Sequence, residues 1–235
     1  MNKLATKLMA LKQLSSACLE ISLSTKYGTQ LGKSYAFGSD LELWARAIVG
    51  IGEVQLINIA QHEYVLSLFN SCEGQYRNSF RGLRLVLEIC IQSIQLSVNP
   101  IEENEWKLGH LDTKWSALSD EIDGPLGARF CRAFFPELAN AVEDYRKTAI
   151  ETYRELSECV HGNTPNKIPL PIRLEFDEAT FLLWNQKAAN VRTVVHFALA
   201  IRYLKSISKD DRPKIDEVLL EQFGHIRTIR EECTY

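Results

Sequence analysis

Alternating polar and apolar residues, the mark of a half-buried strand, are nearly absent from this sequence. No stretch approaches the ~20 apolar residues that span a bilayer. The longest candidates are broken by Arg46 and Glu53, or by Arg84 and Glu88. Positive charge is not in excess either: Lys plus Arg total 27 against 30 acidic residues, a net charge of −3. A protein that coats nucleic acid nonspecifically is normally basic, so any contact with nucleic acid has to come from a local patch. The six cysteines, at 18, 72, 90, 131, 159 and 233, contain no C-x-x-C pair. Neither a zinc ribbon nor a thioredoxin-like site is suggested, and the pattern fits a reducing cytosol. Lys3, Lys7 and Lys12 interrupt every apolar run before Cys18, so no signal-peptide core forms. Ser15-Ser16-Ala17-Cys18 lacks the large apolar residue of a lipoprotein cleavage site. Gly50-Ile51-Gly52 follows a helical pattern, not the strand–turn–helix setting of a nucleotide loop, and no serine or cysteine nucleophile motif is visible. These absences predict a cytoplasmic protein with no membrane association and no cofactor.

What is present is ordinary globular composition: 235 residues, 46% apolar and 24% charged, enough to bury a sizeable core without a metal or a disulfide. Helical periodicity runs from end to end. A first helix is expected from Lys3 to about Leu23, with Leu4, Leu8, Leu11 and Leu14 on one stripe. Lys26 to Ser39 holds three glycines and reads as a loop. Ser39-Asp40 then offers a cap for a long helix to about Asn70, loosened at Gly50 and Gly52. The next helix, from about Gly74 to Val98, is strongly two-faced: Tyr76, Phe80, Leu83, Leu87, Ile91 and Ile94 form its apolar stripe. Residues 101–135 read as a long connection with one or two short helices. Pro136 suits the first turn of a helix that runs to His161, where Gly162 is a natural stop. After an irregular, proline-rich stretch from Asn163 to Pro171, Asp177 or Thr180 opens a helix to about Ile207, and Asp210-Asp211-Arg212-Pro213 begins the last one. The expected architecture is an all-α bundle.

The sharpest local signal is Tyr153-Arg154-Glu155-Leu156-Ser157-Glu158-Cys159-Val160-His161-Gly162-Asn163. Arg154 and His161, seven apart, share a helix face two turns from each other, with Ser157 and Glu158 between them. Leu156 and Val160 turn toward the core. A cation and a titratable imidazole are thus presented together where a helix stops. Bare spacing says little, because an arginine followed five to seven residues on by a histidine is expected about once by chance at this composition. The surrounding string carries the signal.

That string, L-S-x-x-V-H-G-N at the end of a long helix, resembles the R-x(4–6)-H motif of the HEPN superfamily. The preceding Tyr-Arg-Asn-Ser-Phe-Arg-Gly-Leu-Arg-Leu-Val-Leu-Glu helix resembles the partner helix of such bundles. The likeness covers about 74–206, and the first seventy residues match nothing comparable. It implies a HEPN-like helical bundle over 71–235 with an N-terminal helical extension over 1–70. It also implies a metal-independent endoribonuclease of a toxin–antitoxin or anti-phage defence system, acting as a homodimer in which two such pairs line one cleft. Arg154 would hold phosphate and His161 would move protons, with Ser157, Glu158 and Asn163 orienting them or touching RNA. One departure stands out: many active members carry Asn, Asp or His directly after the arginine, where this sequence has Glu155, a charge that repels phosphate.

The chemistry matches those residue types. Metal-free cleavage needs the ribose 2′-hydroxyl to attack the adjacent phosphorus. Histidine titrates near neutral pH, and arginine offers a two-pronged donor to the non-bridging oxygens. The plainer alternative has His161 capping its own helix and Arg154 pairing with Glu151 or Glu158. Arg77, Arg81 and Arg84 form a second candidate: a phosphate-binding stripe, or a solvated face on which Arg84 and Glu88 pair. Glu158-Cys159-Val160-His161 also spells the E-x-x-H of di-iron bundles, but no second copy exists, so no metal is expected. His62, His110, His196 and His225 are isolated and read as surface or core residues. Trp106, Trp115, Phe130, Phe134 and Phe135 read as packing. The toxin reading implies an antitoxin or other defence-complex partner; the competing function is a noncatalytic helical module that binds a partner effector or nucleic acid in a defence complex.

Overall fold

The computed structural model describes residues 2–49, 54–160, 170–208 and 210–233. Among these residues every regular element is helical: α1 (Lys3–Ser22), α2 (Gly28–Ala47), α3 (Val54–Cys72), α4 (Tyr76–Leu96), α5 (Pro100–Lys107), α6 (Trp115–Leu118), α7 (Ala128–Phe134), α8 (Val142–Val160), α9 (Glu178–Tyr203), α10 (Arg212–Phe223) and α11 (Arg227–Glu232). The expected all-α class is what the structure has. Among the described residues no helix is long and apolar enough to cross a membrane.

α9 is the central strut. Its first half buries one stripe, Phe181, Trp184, Ala188 and Val191, and from Val194 to Ile201 every residue is buried, so over that second half α9 has to be surrounded. It packs against α2, α4, α7 and α8. Asp177 caps it by accepting from the Thr180 amide at 2.8 Å. The Tyr76 hydroxyl both donates to the Asp177 carbonyl and accepts from its amide, pinning the start of α9 to the start of α4. The predicted stripe of α4, from Tyr76 to Ile94, is buried throughout.

Several boundaries differ from the sequence reading. Lys26–Ser39 is mostly helix, not loop, because α2 begins at Gly28. Phe37, Leu41 and Trp44 are fully buried from it, and that burial outweighs roughly 1 kcal/mol per helical glycine. Asp40 therefore sits within a helix instead of capping one. The long helix expected to about Asn70 is two helices, α2 and α3, which pack on each other. Gly50 and Gly52 lie outside the described residues. The 101–135 connection holds three short helices. Pro136 opens a single 3-10 turn, and α8 starts only at Val142. The chain ends with two helices, α10 and α11, where one was expected.

Candidate functional site

α4 and α8 lie side by side, and two contacts fix their register. At one end Arg77 Nη1 donates to the carbonyls of Cys159 and Val160, at 3.0 and 3.3 Å. Those are the last turn of α8, whose carbonyls have no helical partner of their own. At the other end the Tyr153 hydroxyl donates to Glu88 Oε1 at 2.8 Å. The two helices are thus antiparallel, and the contacts bracket Arg81 on α4 opposite the Ser157 level of α8.

The arginine stripe divides by role. Arg77 is a cap for α8. Arg84 is half-buried, sits 3.3 Å from Glu88 and lies over the Tyr153 ring at 4.8 Å. Trp115 stacks on that ring, 4.1 Å between centroids and 6° from parallel. Burial and Glu88 together push the Tyr153 phenol above its usual range, so it stays a donor. Arg81 and Arg154 are exposed. Among the described residues neither makes a hydrogen bond or an ion pair, so the Glu151 or Glu158 pairing proposed for Arg154 is not formed there.

Glu155 is turned away from that surface. Its carboxylate pairs with Lys187 of α9, whose side chain is 11% exposed. The negative charge that departs from the HEPN pattern is therefore balanced inside the α8–α9 contact. The Ser157 hydroxyl donates to the Tyr153 carbonyl one turn back, at 2.8 Å. Glu158 is half-buried on the same helix. His161 and Asn163 lie outside the described residues. Leu156 and Cys159 are buried beneath, and burial raises the Cys159 thiol to about 11. That sulfur is a packing group, not a nucleophile.

Phe130 and Phe135 are buried and Arg202 lies over Phe134 at 4.5 Å, consistent with packing. His62, His110 and His225 are exposed, and His196 is fully buried. Among the described residues no group of three His, Cys, Asp or Glu side chains is placed to hold a metal.

Sequence reasoning missed a second polar cluster. Arg192 of α9 donates to Asp40 of α2 at 2.7 Å and to Glu221 of α10 at 2.9 Å. His196 lies 3.6 Å from the same Asp40 oxygen and contacts Gln222. Beside it a cavity of about 140 Å³ is lined by Ser34, Phe37, Tyr64, Asn185 and Arg192. Asp40 lies some 150 residues from Arg192, and Glu221 and Gln222 lie 29 and 26 residues from their partners, so no local spacing signals the cluster.

Set against protein-family models, curated proteins and solved structures, the chain matches none.

Proposed function

We propose that this chain is a metal-independent endoribonuclease, acting as a cytoplasmic homodimer in an anti-phage defence or toxin–antitoxin role. The observation that supports it best is the α4–α8 surface: Arg81 and Arg154 are exposed there without partners among the described residues. Arg77 clamps the helix end that leads into His161. The Glu155 charge is taken up by Lys187.

In this reading Arg154 grips the non-bridging phosphate oxygens and holds the charge that builds in the transition state. Arg81 contacts a neighbouring phosphate. A histidine takes the 2′-hydroxyl proton as the 2′-oxygen bonds to phosphorus. The P–O5′ bond breaks, and the second protomer's histidine returns a proton to the departing oxygen. The products are a 2′,3′-cyclic phosphate and a 5′-hydroxyl. Ser157, Glu158 and Asn163 orient these groups or touch RNA. Arg77 and Arg84 act through structure, as the cap of α8 and the clamp on Tyr153. The defence role rests on the motif resemblance alone.

The test is RNA cleavage in the presence of EDTA. Wild-type protein is expected to leave cyclic-phosphate and 5′-hydroxyl ends. His161→Ala should lose on the order of 10²–10⁴-fold in rate, and Arg154→Ala a comparable amount. Arg81→Ala should weaken RNA binding and flatten its salt dependence by about 0.7 in log–log slope. Cleavage abolished by EDTA, or equal rates in wild type and His161→Ala, would overturn the mechanism. No cleavage of any RNA by folded protein would favour the noncatalytic binding module.

A further inference from the structure

The first three turns of α1 touch almost nothing. Between Asn2 and Leu14 only Ala5 is less than fully exposed in class, and Leu4, Leu8, Leu11 and Leu14 are 61, 56, 44 and 49% exposed. The same register then goes under cover: Ser15, Cys18 and Ser22 are buried. Positions 4, 8, 11, 15, 18 and 22 are separated alternately by four and three, which is the seam of a heptad repeat. The C-terminal half of the seam uses small residues to approach the α3–α4 corner, where Cys18 Sγ lies 3.0 Å from the place a Cβ on Gly74 would occupy. The leucine half stays exposed.

A free helix of three turns is marginal in water, and a row of exposed leucines is a surface awaiting a cover. Charge indicates the cover. With the seam as a and d, Lys7 falls at g and Lys12 at e, and Lys3 adds a third positive charge. No acidic residue occurs before Glu20. A second copy in parallel register would set Lys7 against Lys12, a repulsive pairing. Helices that lie in a bilayer surface carry their lysines on the face opposite the apolar one. Here the opposite face holds Thr6, Ala10, Gln13 and Ala17, with Lys3 its one positive charge, while Lys7 and Lys12 edge the leucines.

We propose that the α1 arm is a docking surface for a partner protein that presents an acidic amphipathic helix, with leucine or isoleucine at a and d and glutamate at e and g. Pairing would bury Leu4, Leu8 and Leu11 as knobs and set Lys7 and Lys12 against glutamates, so that charge selects the partner. The proposal stands apart from the ribonuclease reading and uses none of its residues.

The experiment titrates the full chain with two labelled 21-residue peptides, identical at a and d (leucine) but carrying glutamate or lysine at e and g. The glutamate peptide is expected to bind at least about tenfold tighter than the lysine peptide. Leu8→Ser with Leu11→Ser should abolish binding, and Lys7→Glu with Lys12→Glu should reverse the preference. These positions are exposed, so circular dichroism should show the variants folded. Absent binding, or equal binding of both peptides, overturns the proposal. So does a wild-type dimer in sedimentation that the leucine variant dissociates, which makes a second copy the occupant. Binding to phosphatidylserine vesicles without peptide binding overturns it in favour of a membrane.

Discussion

Arg192 is held between Asp40 and Glu221, and His196 lies 3.6 Å from Asp40, so two acid–base groups share one buried cluster with the same arginine. Burial pushes the Asp40 carboxyl from 3.8 up to about 6, against the pull of Arg192. Burial, with the Arg192 charge adding to it, drives the His196 imidazole well below 6.5. The consequences for stability have opposite signs. Asp40 is raised, so its contribution is full at low pH and is lost as pH climbs through about 6. His196 is depressed, so the unfolded chain takes up a proton below about 6.5 that the folded chain refuses. Acid therefore costs stability through His196 and restores it through Asp40, each at about 1.4 kcal/mol per pH unit where it acts. Between pH 6 and pH 4 the two oppose each other. Urea unfolding across that range should show a shallow slope in wild type. In Asp40→Asn the slope should steepen, with about 2 kcal/mol lost between pH 6.5 and 5. His196→Gln should instead gain stability as pH falls toward 4. Parallel slopes in all three proteins would mean that these groups do not set the pH response. None of this was readable from spacing: Asp40 looked like a helix cap, and its partners lie on α9 and α10.

Helices reveal where sequence patterning speaks and where it does not. α4 was legible because its apolar residues recur at helical spacing and one face is buried along its whole length. α2 was not, because glycine is read as a breaker, while the burial of Phe37, Leu41 and Trp44 that holds it helical depends on α3 and α9. Glycines in the two helices are therefore not equivalent. Gly32 of α2 is exposed, and a Cβ there would meet nothing within 4 Å. Gly82 of α4 faces α3, and a Cβ would lie 2.9 Å from Ser67 Cβ. Ser67 is not free to move aside, because its hydroxyl donates to the Ser79 carbonyl at 2.7 Å. Gly32→Ala should stabilise by about 1 kcal/mol and raise Tm by about 2–4 °C. Gly82→Ala should cost about 1–3 kcal/mol through overpacking. Thermal unfolding of both variants checks the pair, and equal gains would show that α3 and α4 do not approach this closely.

At the scale of the molecule, the local motif around Arg154 was visible in sequence, but its setting was not. The capping of α8 by Arg77 joins residues 82 and 83 apart, and the Lys187 partner of Glu155 lies 32 residues on. Only the folded bundle separates the arginines that hold it together, Arg77 and Arg84, from those left exposed, Arg81 and Arg154. The same non-local logic governs the N-terminal seventy residues. They divide at about Ser15: the arm before it is exposed, whereas Phe37, Trp44 and Tyr64 beyond it are fully buried in one hydrophobic cluster with Trp184, Phe197 and Phe223. Phe37 meets the Tyr64 ring edge-on at 4.7 Å, and Tyr64 stacks with Trp184 at 6.1 Å. Removing residues 2–14 should leave Tm within about 2 °C of wild type, since it uncovers almost no buried surface. Removing residues 1–70 strips α9 of its α2 and α3 cover and exposes Trp184. Each large side chain so uncovered forfeits about 1.5–3 kcal/mol, against a total stability of about 5–15 kcal/mol. The shortened chain should show no cooperative transition. A cooperative unfolding curve from residues 71–235 alone would mean that the bundle carries a complete core without α2 and α3, and that the contacts of Trp184 with Tyr64 are an interface between two units, not the interior of one.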